Sequence, residues 1–572
     1  MFVDLLIKNA KIFNSTYRKF YDGYLSVLDG RIYHALSGEP PDHIEAKEVI
    51  DAGGRHVVPG LIDIHMHIES SMVTPIPFGS YLCTRGVTTV VAEPHEIANV
   101  KGMEAIRAML KAGEGADIDI FFGVSSSVPS TDETLETTGG VIGEAELREL
   151  LQEPTAVCLG EVMNTRAVIE AGDNPTKRMI RLTQELAPHL PIEGHCPRIV
   201  GEDLVRYVYM GVDSTHTEHT LDETAQRYFA GMFIELQRKT LTPDISAHVI
   251  ENDLFEMTAL VTDDVMTDRL VREGHLEAIV VQAMEQGFTP EQAIYCATAT
   301  PATRMRLHDR GRLRPGLLAD IVILDDLRRF QVHKTIKSGR LAYDADVGYT
   351  PPLPKKTFPE SFYHTMQLIT PTAADFTVPC EAPGPVKVRA IEVKPDRTQT
   401  PAQIVEVPVK DGKLDWQSAG LKLALCFERH GKTKGGRGVG FMTGTTIQRG
   451  AVATSYAHDH HNLLVVGANP ADMEQAAKWV IEAGGGMACV ENGKLLGSVA
   501  LPVAGLLSEE PVTEVAAGID AVTKAMEDLG YENNCPIMSL CTTTLPVTPE
   551  LKLTDKGLVD VMNGKIVPLI VE

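Results

Sequence analysis

The segment PGLIDIHMHIESS carries two histidines, His65 and His67, at the end of a short apolar run. Leu61, Ile62 and Ile64 follow a Pro-Gly turn, and this pattern predicts a buried β-strand. Side chains at positions i and i+2 of a strand project to the same face, so the two imidazoles can chelate one divalent metal ion. A strand with two hydrogen-bonded histidines is the alternative interpretation, because a metal site needs further ligands elsewhere in the chain.

Histidines and carboxylates also stand where other strand-like runs end. These residues are Glu93, His95 and Glu96, then Glu161, His195, His216, and finally Asp263 with Asp264. In a parallel β/α barrel, the carboxyl ends of all strands meet at one face, where reactive groups gather. Six consecutive strand ends of this kind therefore predict a metal site built from several strands.

Strand-like runs alternate with helical patterns over residues 57–305, and this alternation predicts a parallel sheet. About 250 residues of such alternation suit an α/β fold with a (β/α)₈ TIM-like barrel, and a doubly wound open sheet is the structural alternative. Short strand-like runs at 1–56 and 306–345 predict a small β-sandwich-type domain built from both sides of the barrel. The proline-rich segment 346–405 indicates a connector, and residues 406–572 indicate a C-terminal α/β domain.

The composition limits the classes of partner. The chain has 53 Lys and Arg residues against 77 Asp and Glu residues, and the formal net charge is −24 at pH 7. Nucleic-acid backbones and anionic membranes would be repelled, so we expect neither as a partner. The start of the sequence lacks a signal-peptide pattern and the nine cysteines are scattered, which favours a cytoplasmic protein with reduced thiols.

The order of the candidate ligands resembles that of the amidohydrolase superfamily and, within it, the adenine deaminase family. The barrel motifs that carry the resemblance are PGLIDIHMHIESSMVTP, EPHEIANV, GEVMN, the Thr-Asp-Asp at 262–264 and RPGLLADIVILDD. Beyond the barrel, the resemblance continues through GVGFMTGTTIQRGAVATSYAHDHHNLLVVGAN, LPVAGLLSEEP and LPVTPELKLTDKGLVDV. It covers most of the chain, and the last motifs resemble this family rather than amidohydrolases in general.

The resemblance implies a metal-dependent hydrolase of purine metabolism that acts on the C–N bond of a cyclic amidine. Adenine or a closely related 6-aminopurine would be converted with water to hypoxanthine and ammonia, through attack of metal-bound hydroxide on C6. The implied cofactors are two divalent metal ions, Mn²⁺ or Fe²⁺, with Zn²⁺ as the alternative. The implied metal ligands are His65, His67, Glu161, His195, His216 and Asp263.

The same resemblance assigns roles to three residues in the reaction. Asp263 would ligate the first ion and accept the proton of the attacking water, Glu161 would bridge the two ions, and His95 would orient or stabilise the nucleophile. We expect the substrate contacts to come from Glu69, Ser70, Gln237 and Asp264.

Several positions near the predicted substrate site depart from the family pattern. Thr215 and Thr217 flank His216 where acidic residues are usual, and Gln237 and Val265 also differ. The substrate class is therefore open: the alternative is an amidohydrolase that opens a lactam, hydantoin or imide, or that acts on a modified purine. A non-catalytic protein that has kept the fold is a third possibility.

Two expectations concern the C-terminal region and the assembly. The run His458-Asp459-His460-His461 could be a metal cluster, but a turn or an interdomain contact is the preferred interpretation. We expect a homo-oligomer, a dimer, that binds a small heterocyclic substrate.

Overall fold

Parallel strands form the centre of the computed structural model, which describes residues 1–395 and 398–571. Within these residues, eight strands follow one another around a barrel: Leu61–Met66, Val87–Ala92, Asp119–Val124, Ala156–Val162, Ile192–Gly194, Ser214–Thr215, Phe233–Leu236 and Thr258–Leu260. We number them barrel strands 1 to 8. A parallel bridge between Met66 and Asp263 joins strand 1 to the segment after strand 8, which closes the barrel.

Helices follow the barrel strands and cover the outside of the barrel. They are Pro75–Cys83, His95–Gly113, Glu144–Leu150, Thr165–Ile169, Pro175–Leu186, Gly201–Tyr209, Leu221–Phe229, Pro243–Glu251, Thr267–Glu273, Leu276–Glu285, Pro290–Cys296 and Ala299–Arg304. Short 3₁₀ helices span Ile68–Ser71 and Leu254–Met257. Local sequence explains several starts, because Asn174, Thr220 and Thr289 accept hydrogen bonds from backbone N–H groups of the first turn.

A β-sheet beside the barrel combines strands from both ends of the barrel segment. In the described part of the chain it has eight strands: Phe2–Asn14, Lys19–Leu28, Arg31–Ser37, Glu45–Asp51, His56–Pro59, Ile321–Asp326, Gln331–Lys337 and Arg340–Asp344. The strand that leads into the barrel, His56–Pro59, pairs in antiparallel register with Ile321–Asp326, so the two flanking segments share one sheet.

The C-terminal region is built on a mixed β-sheet. Its strands are Val386–Val393, Ala402–Val407, Lys422–Phe427, Arg437–Gly444, Ala451–Thr454, Leu463–Gly467, Gly486–Glu491, Lys494–Ala500 and Ile570–Val571. Shorter strands are Val409–Lys410, Lys413–Leu414, Leu551–Thr554, Gly557–Asp560 and Lys565–Val567. Its helices are Pro470–Glu482, Val512–Asp528 and Pro536–Cys541, and further 3₁₀ helices span Glu360–Tyr363, Ala373–Phe376 and Thr542–Thr544.

The predicted fold class is confirmed: a parallel α/β barrel, a small β unit and a C-terminal unit with mixed sheets. The domain boundaries at 56, 305, 345 and 405 stay predictions. Strand Val386–Val393, inside the segment predicted as a connector, pairs in parallel with Arg437–Gly444 of the C-terminal sheet. Among residues 1–395 and 398–571, no helix has the length and apolar character to cross a membrane.

Asp63 links the two strands that close the barrel. Its carboxylate accepts hydrogen bonds from the backbone N–H groups of His65 (3.3 Å) and Thr262 (3.4 Å) and from the Thr262 hydroxyl (2.6 Å). The side chain is fully buried, and burial raises the pKa of Asp63 to about 7 although these donors oppose the shift. The carboxyl group therefore holds strand 1 and the end of strand 8 in register.

Replacing Asp63 should destabilise the barrel. In Asp63→Ala the Thr262 hydroxyl and N–H lose their acceptor, so we expect the free energy of unfolding to fall by about 1–3 kcal/mol. Differential scanning calorimetry measures this as a lower midpoint for the barrel transition, by about 2–4 °C per kcal/mol. Asp63→Asn is the matched control, because it keeps one acceptor oxygen and should lose less. An Asp63→Ala protein with the same melting temperature as the wild type would contradict a role of Asp63 in joining strand 1 to the end of strand 8.

Candidate metal centre

The ends of five barrel strands bring the six predicted metal ligands to one face of the barrel. His65 lies in strand 1 and His67 directly after it, Glu161 lies in strand 4, and the other three follow strands 5, 6 and 8: His195, His216 and Asp263. Four of these side chains are almost fully buried, and His195 and Asp263 are partly exposed. These side chains come together because the carboxyl ends of all strands in a parallel barrel lie at the same face.

The Glu161 carboxylate lies between two groups of imidazoles. Its Oε1 is 3.5 Å from His67 Nε2, while its Oε2 is 2.9 Å from His195 Nδ1 and 3.4 Å from His216 Nε2. Two sets of three side chains, one with His65 and His67 and one with His195 and His216, thus share Glu161. In each set the possible ligand atoms lie within 4.8 Å of one another.

Asp263 faces the set that contains His65 and His67, and a hydrogen bond from Gln237 fixes its carboxylate. Its Oδ1 lies 3.7 Å from His67 Nε2 and 3.9 Å from His65 Nε2. Its Oδ2 accepts a 2.9 Å hydrogen bond from the Gln237 amide, which also donates to the His216 carbonyl at 3.1 Å. Asp263 has a φ of +60°, in the left-handed region, and such backbone strain is typical of functional sites.

The charges in this centre fit a divalent cation. Burial would lower the pKa of His67, but Asp264, Glu161 and Asp263 raise it to about 10, which shows that negative charge is in excess. Burial lowers the pKa of His65 to about 3, so this imidazole is neutral, the form that binds metals. Its buried Nε2 has no hydrogen-bond partner among the described residues. Imidazole and carboxylate donors without thiolate suit Mn²⁺, Fe²⁺ or Zn²⁺.

Glu93 and His95 lie directly behind the ligands. Glu93 Oε2 accepts a 2.6 Å hydrogen bond from the Glu161 N–H, and Glu93 Oε1 is 3.7 Å from His95 Nδ1. His95 is the first residue of helix His95–Gly113, and its ring centroid is 4.8 Å from that of His67. The structure therefore places His95 beside a predicted metal ligand.

The four predicted substrate contacts have different surroundings. Glu69 and Ser70 are fully buried in the 3₁₀ helix Ile68–Ser71, and the Ser70 hydroxyl donates to the exposed Asp264 carboxylate. Burial raises the pKa of Glu69 to about 7. The Gln237 amide nitrogen donates within the protein, to Asp263 and to the backbone of His216, so Gln237 orients a predicted ligand.

The C-terminal region adds side chains that sequence reasoning did not assign to this site. The Tyr456 hydroxyl lies 3.4 Å from Ser70 Oγ, and His458 and His461 both contact Glu96, the residue after His95. In the sequence, the run of histidines at 458–461 was the signal that pointed to such a contact. In the structure, this run packs between the barrel and the C-terminal region. No pattern marks Tyr456, because its barrel partner is 386 residues away in the chain.

Comparison with known proteins extends over the whole chain. The family model for the amidohydrolase family matches residues 56–342, and that for the adenine deaminase C-terminal domain matches residues 397–565. Adenine deaminase 2 of Shouchella clausii is 44% identical over 572 residues, which cover 100% of this chain and 99% of the relative. Adenine deaminase of Clostridium perfringens is 42% identical and covers 100% of both chains.

The chain belongs to the adenine deaminase family. The resemblance inferred from the motifs is thereby confirmed, and membership of the amidohydrolases makes the chain a metal-dependent hydrolase of C–N bonds. Among solved structures, that of an adenine deaminase is 19% identical with a TM-score of 0.44, and it covers 60% of this chain and 100% of its own.

Gly160 offers a test of the support behind Glu161. A Cβ atom at Gly160 would lie 2.4 Å from the Glu93 carboxyl group, so Gly160→Ala must push Glu93 away from the Glu161 N–H. Loss of a residue that orients a ligand typically lowers metal affinity about 10–100-fold, and we expect a loss of this size. Competition with a chelator, followed by elemental analysis, measures the affinity.

The matched control is Gly384→Ala, because a Cβ at Gly384 meets no described atom within 4 Å. This variant should bind metal as the wild type does. Wild-type affinity in Gly160→Ala would mean that Glu93 does not support the bridging carboxylate.

Proposed function

We propose that this chain catalyses the hydrolytic deamination of adenine to hypoxanthine and ammonia. The observation that carries the proposal is that relatives named adenine deaminase match the chain from end to end, barrel and C-terminal region together. The side chains at the barrel mouth suit this chemistry, because the two histidine sets that share Glu161 can hold the ions that a hydrolase of this kind needs.

The metal ligands follow from the two sets around Glu161. His65, His67 and Asp263 would hold one ion, and His195 and His216 would hold a second, with Glu161 shared. When bound, divalent ions of this kind lower the pKa of a water molecule and so supply a nucleophile at neutral pH. The resemblance favours Mn²⁺ or Fe²⁺, with Zn²⁺ as the alternative.

Asp263 is the residue proposed to move the proton. Its Oδ2 is held by the Gln237 amide, so Oδ1 keeps a fixed direction toward His65 and His67. An orientation of this kind lets one oxygen accept the proton of the attacking water and return it to the ring or to the leaving amine. Gln237 is thus proposed as a positioning residue for Asp263.

His95 is the residue proposed to stabilise charge. It lies against His67 at the start of a helix, and a ring nitrogen of His95 lies within 4.8 Å of a Glu161 oxygen. A fixed donor at this place would orient the attacking nucleophile and stabilise its negative charge. Ser70 and Asp264, joined by a hydrogen bond at the barrel mouth, are proposed to contact the purine.

Asp263→Asn tests the proton-transfer role. The substitution keeps the size of the side chain and its contact with Gln237 but removes the base, so we expect kcat to fall by about 10²–10⁴-fold. Asp264→Asn is the matched neighbour and should mainly raise KM. An ammonia assay on metal-loaded protein with adenine, with hypoxanthine measured by chromatography, gives both constants.

The products also decide between the substrate classes. Turnover of a lactam, hydantoin or imide to a new carboxylate without free ammonia would mean that the cyclic-amide alternative is right. If metal-loaded protein released no ammonia from adenine or another 6-aminopurine, the proposed function would be wrong. The dimer and the cytoplasmic location stay predictions.

A further inference from the structure

Segment 455–462 of the C-terminal region lies buried against the barrel. It connects strands Ala451–Thr454 and Leu463–Gly467 of the C-terminal sheet, and all eight of its residues are buried. Its contacts reach separate parts of the barrel: Tyr456 reaches Ser70, and the Asn462 amide donates a 2.9 Å hydrogen bond to the Thr137 carbonyl. The segment is therefore a buried contact between the C-terminal region and the barrel rather than a surface turn.

Two histidines of this segment bind the carboxylate of Glu96. His458 Nδ1 lies 2.6 Å from Glu96 Oε1, and His461 Nε2 contacts Glu96 Oε2. The other ring nitrogen of His461, Nδ1, accepts a 3.2 Å hydrogen bond from the Ala457 N–H. The proton of a neutral His461 must then sit on Nε2, which donates it to Glu96.

The charge of Glu96 depends on these histidines. Glu96 is 2% exposed, and burial alone would raise its pKa, but His458 and His461 hold the pKa of Glu96 well below its usual range. A buried carboxylate that loses its partners is strongly unfavourable, so it either takes up a proton or moves to reach water, and in both cases its contacts change. The position of Glu96 is thus set by the C-terminal region.

Glu96 is joined to the predicted reaction site through His95. The two residues are adjacent in the first turn of helix His95–Gly113, and Glu96 Oε1 lies 3.7 Å from His95 Nε2. His95 in turn packs against His67, with 4.8 Å between the ring centroids. A shift of Glu96 would therefore displace the ring that faces the candidate metal ligands.

We propose that His458 and His461 are positioning residues for the deamination site: they fix Glu96, and through it they hold His95 against His67. The C-terminal region then completes the active site of the barrel without supplying a metal ligand. The proposal rests on the proposed function for its kinetic consequence, whereas its structural consequence does not depend on the substrate.

The kinetic test uses His461→Ala in metal-loaded full-length protein. We expect kcat for adenine to fall about 10–100-fold, as for other residues that orient an active-site group, with KM within about threefold and metal content unchanged. His461→Gln keeps an N–H donor toward Glu96 and should recover most of kcat. The double variant Glu96→Ala with His461→Ala should lose no more than Glu96→Ala alone, because both act on one element.

Thr137→Val is the matched control for a general weakening of the contact between the barrel and the C-terminal region. It removes the 2.6 Å hydrogen bond from the Thr137 hydroxyl to Asp555, another contact between barrel and C-terminal region, and leaves Glu96 untouched. Its kcat should stay within about twofold of the wild type. An equal loss in Thr137→Val, or a loss in His461→Ala that follows metal loss, would overturn the proposal.

A second readout separates this proposal from the proposed function. Hydrogen–deuterium exchange should become faster in residues 95–99 of His461→Ala, but not of Thr137→Val, because only the first releases Glu96. A wild type that does not turn over adenine would overturn the proposed function while this readout still decides the positioning role. Unchanged exchange and unchanged kcat in His461→Ala would overturn the positioning role.

Discussion

One buried carboxylate, Glu161, is the group on which the candidate site depends. It is 4% exposed and lies between imidazoles that come from strands 1, 5 and 6 of the barrel. A carboxylate at such a place is stable only when positive charge compensates it. The imidazoles hold the pKa of Glu161 well below its usual range despite burial. Divalent cations would supply the same compensation permanently, and the shared carboxylate would then set the distance between them.

Glu96 is a second buried carboxylate whose charge must be compensated, and here histidines in direct contact with it do so. It pairs directly with His458 at 2.6 Å, a short hydrogen-bond distance, and with His461. Around His67 and Asp263, by contrast, the nitrogen–oxygen distances are 3.5–3.9 Å, longer than a hydrogen bond. The same residue types therefore make a closed ion-pair cluster around Glu96 and an open donor set around His67 and Asp263, although His195 lies 2.9 Å from Glu161 in the same centre. The first is suited to support and the second to binding a cation.

The barrel and the grouping of the candidate ligands at one face could be predicted because their pattern is local. His65 and His67 mark their own strand end, and the order of the later ligands follows the order of parallel strands. The contacts of the C-terminal region could not be predicted in this way. His461 and Glu96 are separated by 365 residues, and nothing in a single sequence pairs them. The hydrogen bond of Gln237 to Asp263 was also hidden, because it depends on the side-chain direction at the end of strand 7.

The most direct test of the two-ion site is X-ray diffraction from crystals of the Mn²⁺-loaded protein, recorded on both sides of the manganese absorption edge. We expect two anomalous peaks, one beside His65 and His67 and one beside His195 and His216, with a Glu161 oxygen bound to each ion. A single peak, or two peaks with Glu161 bound to neither ion, would contradict the shared carboxylate.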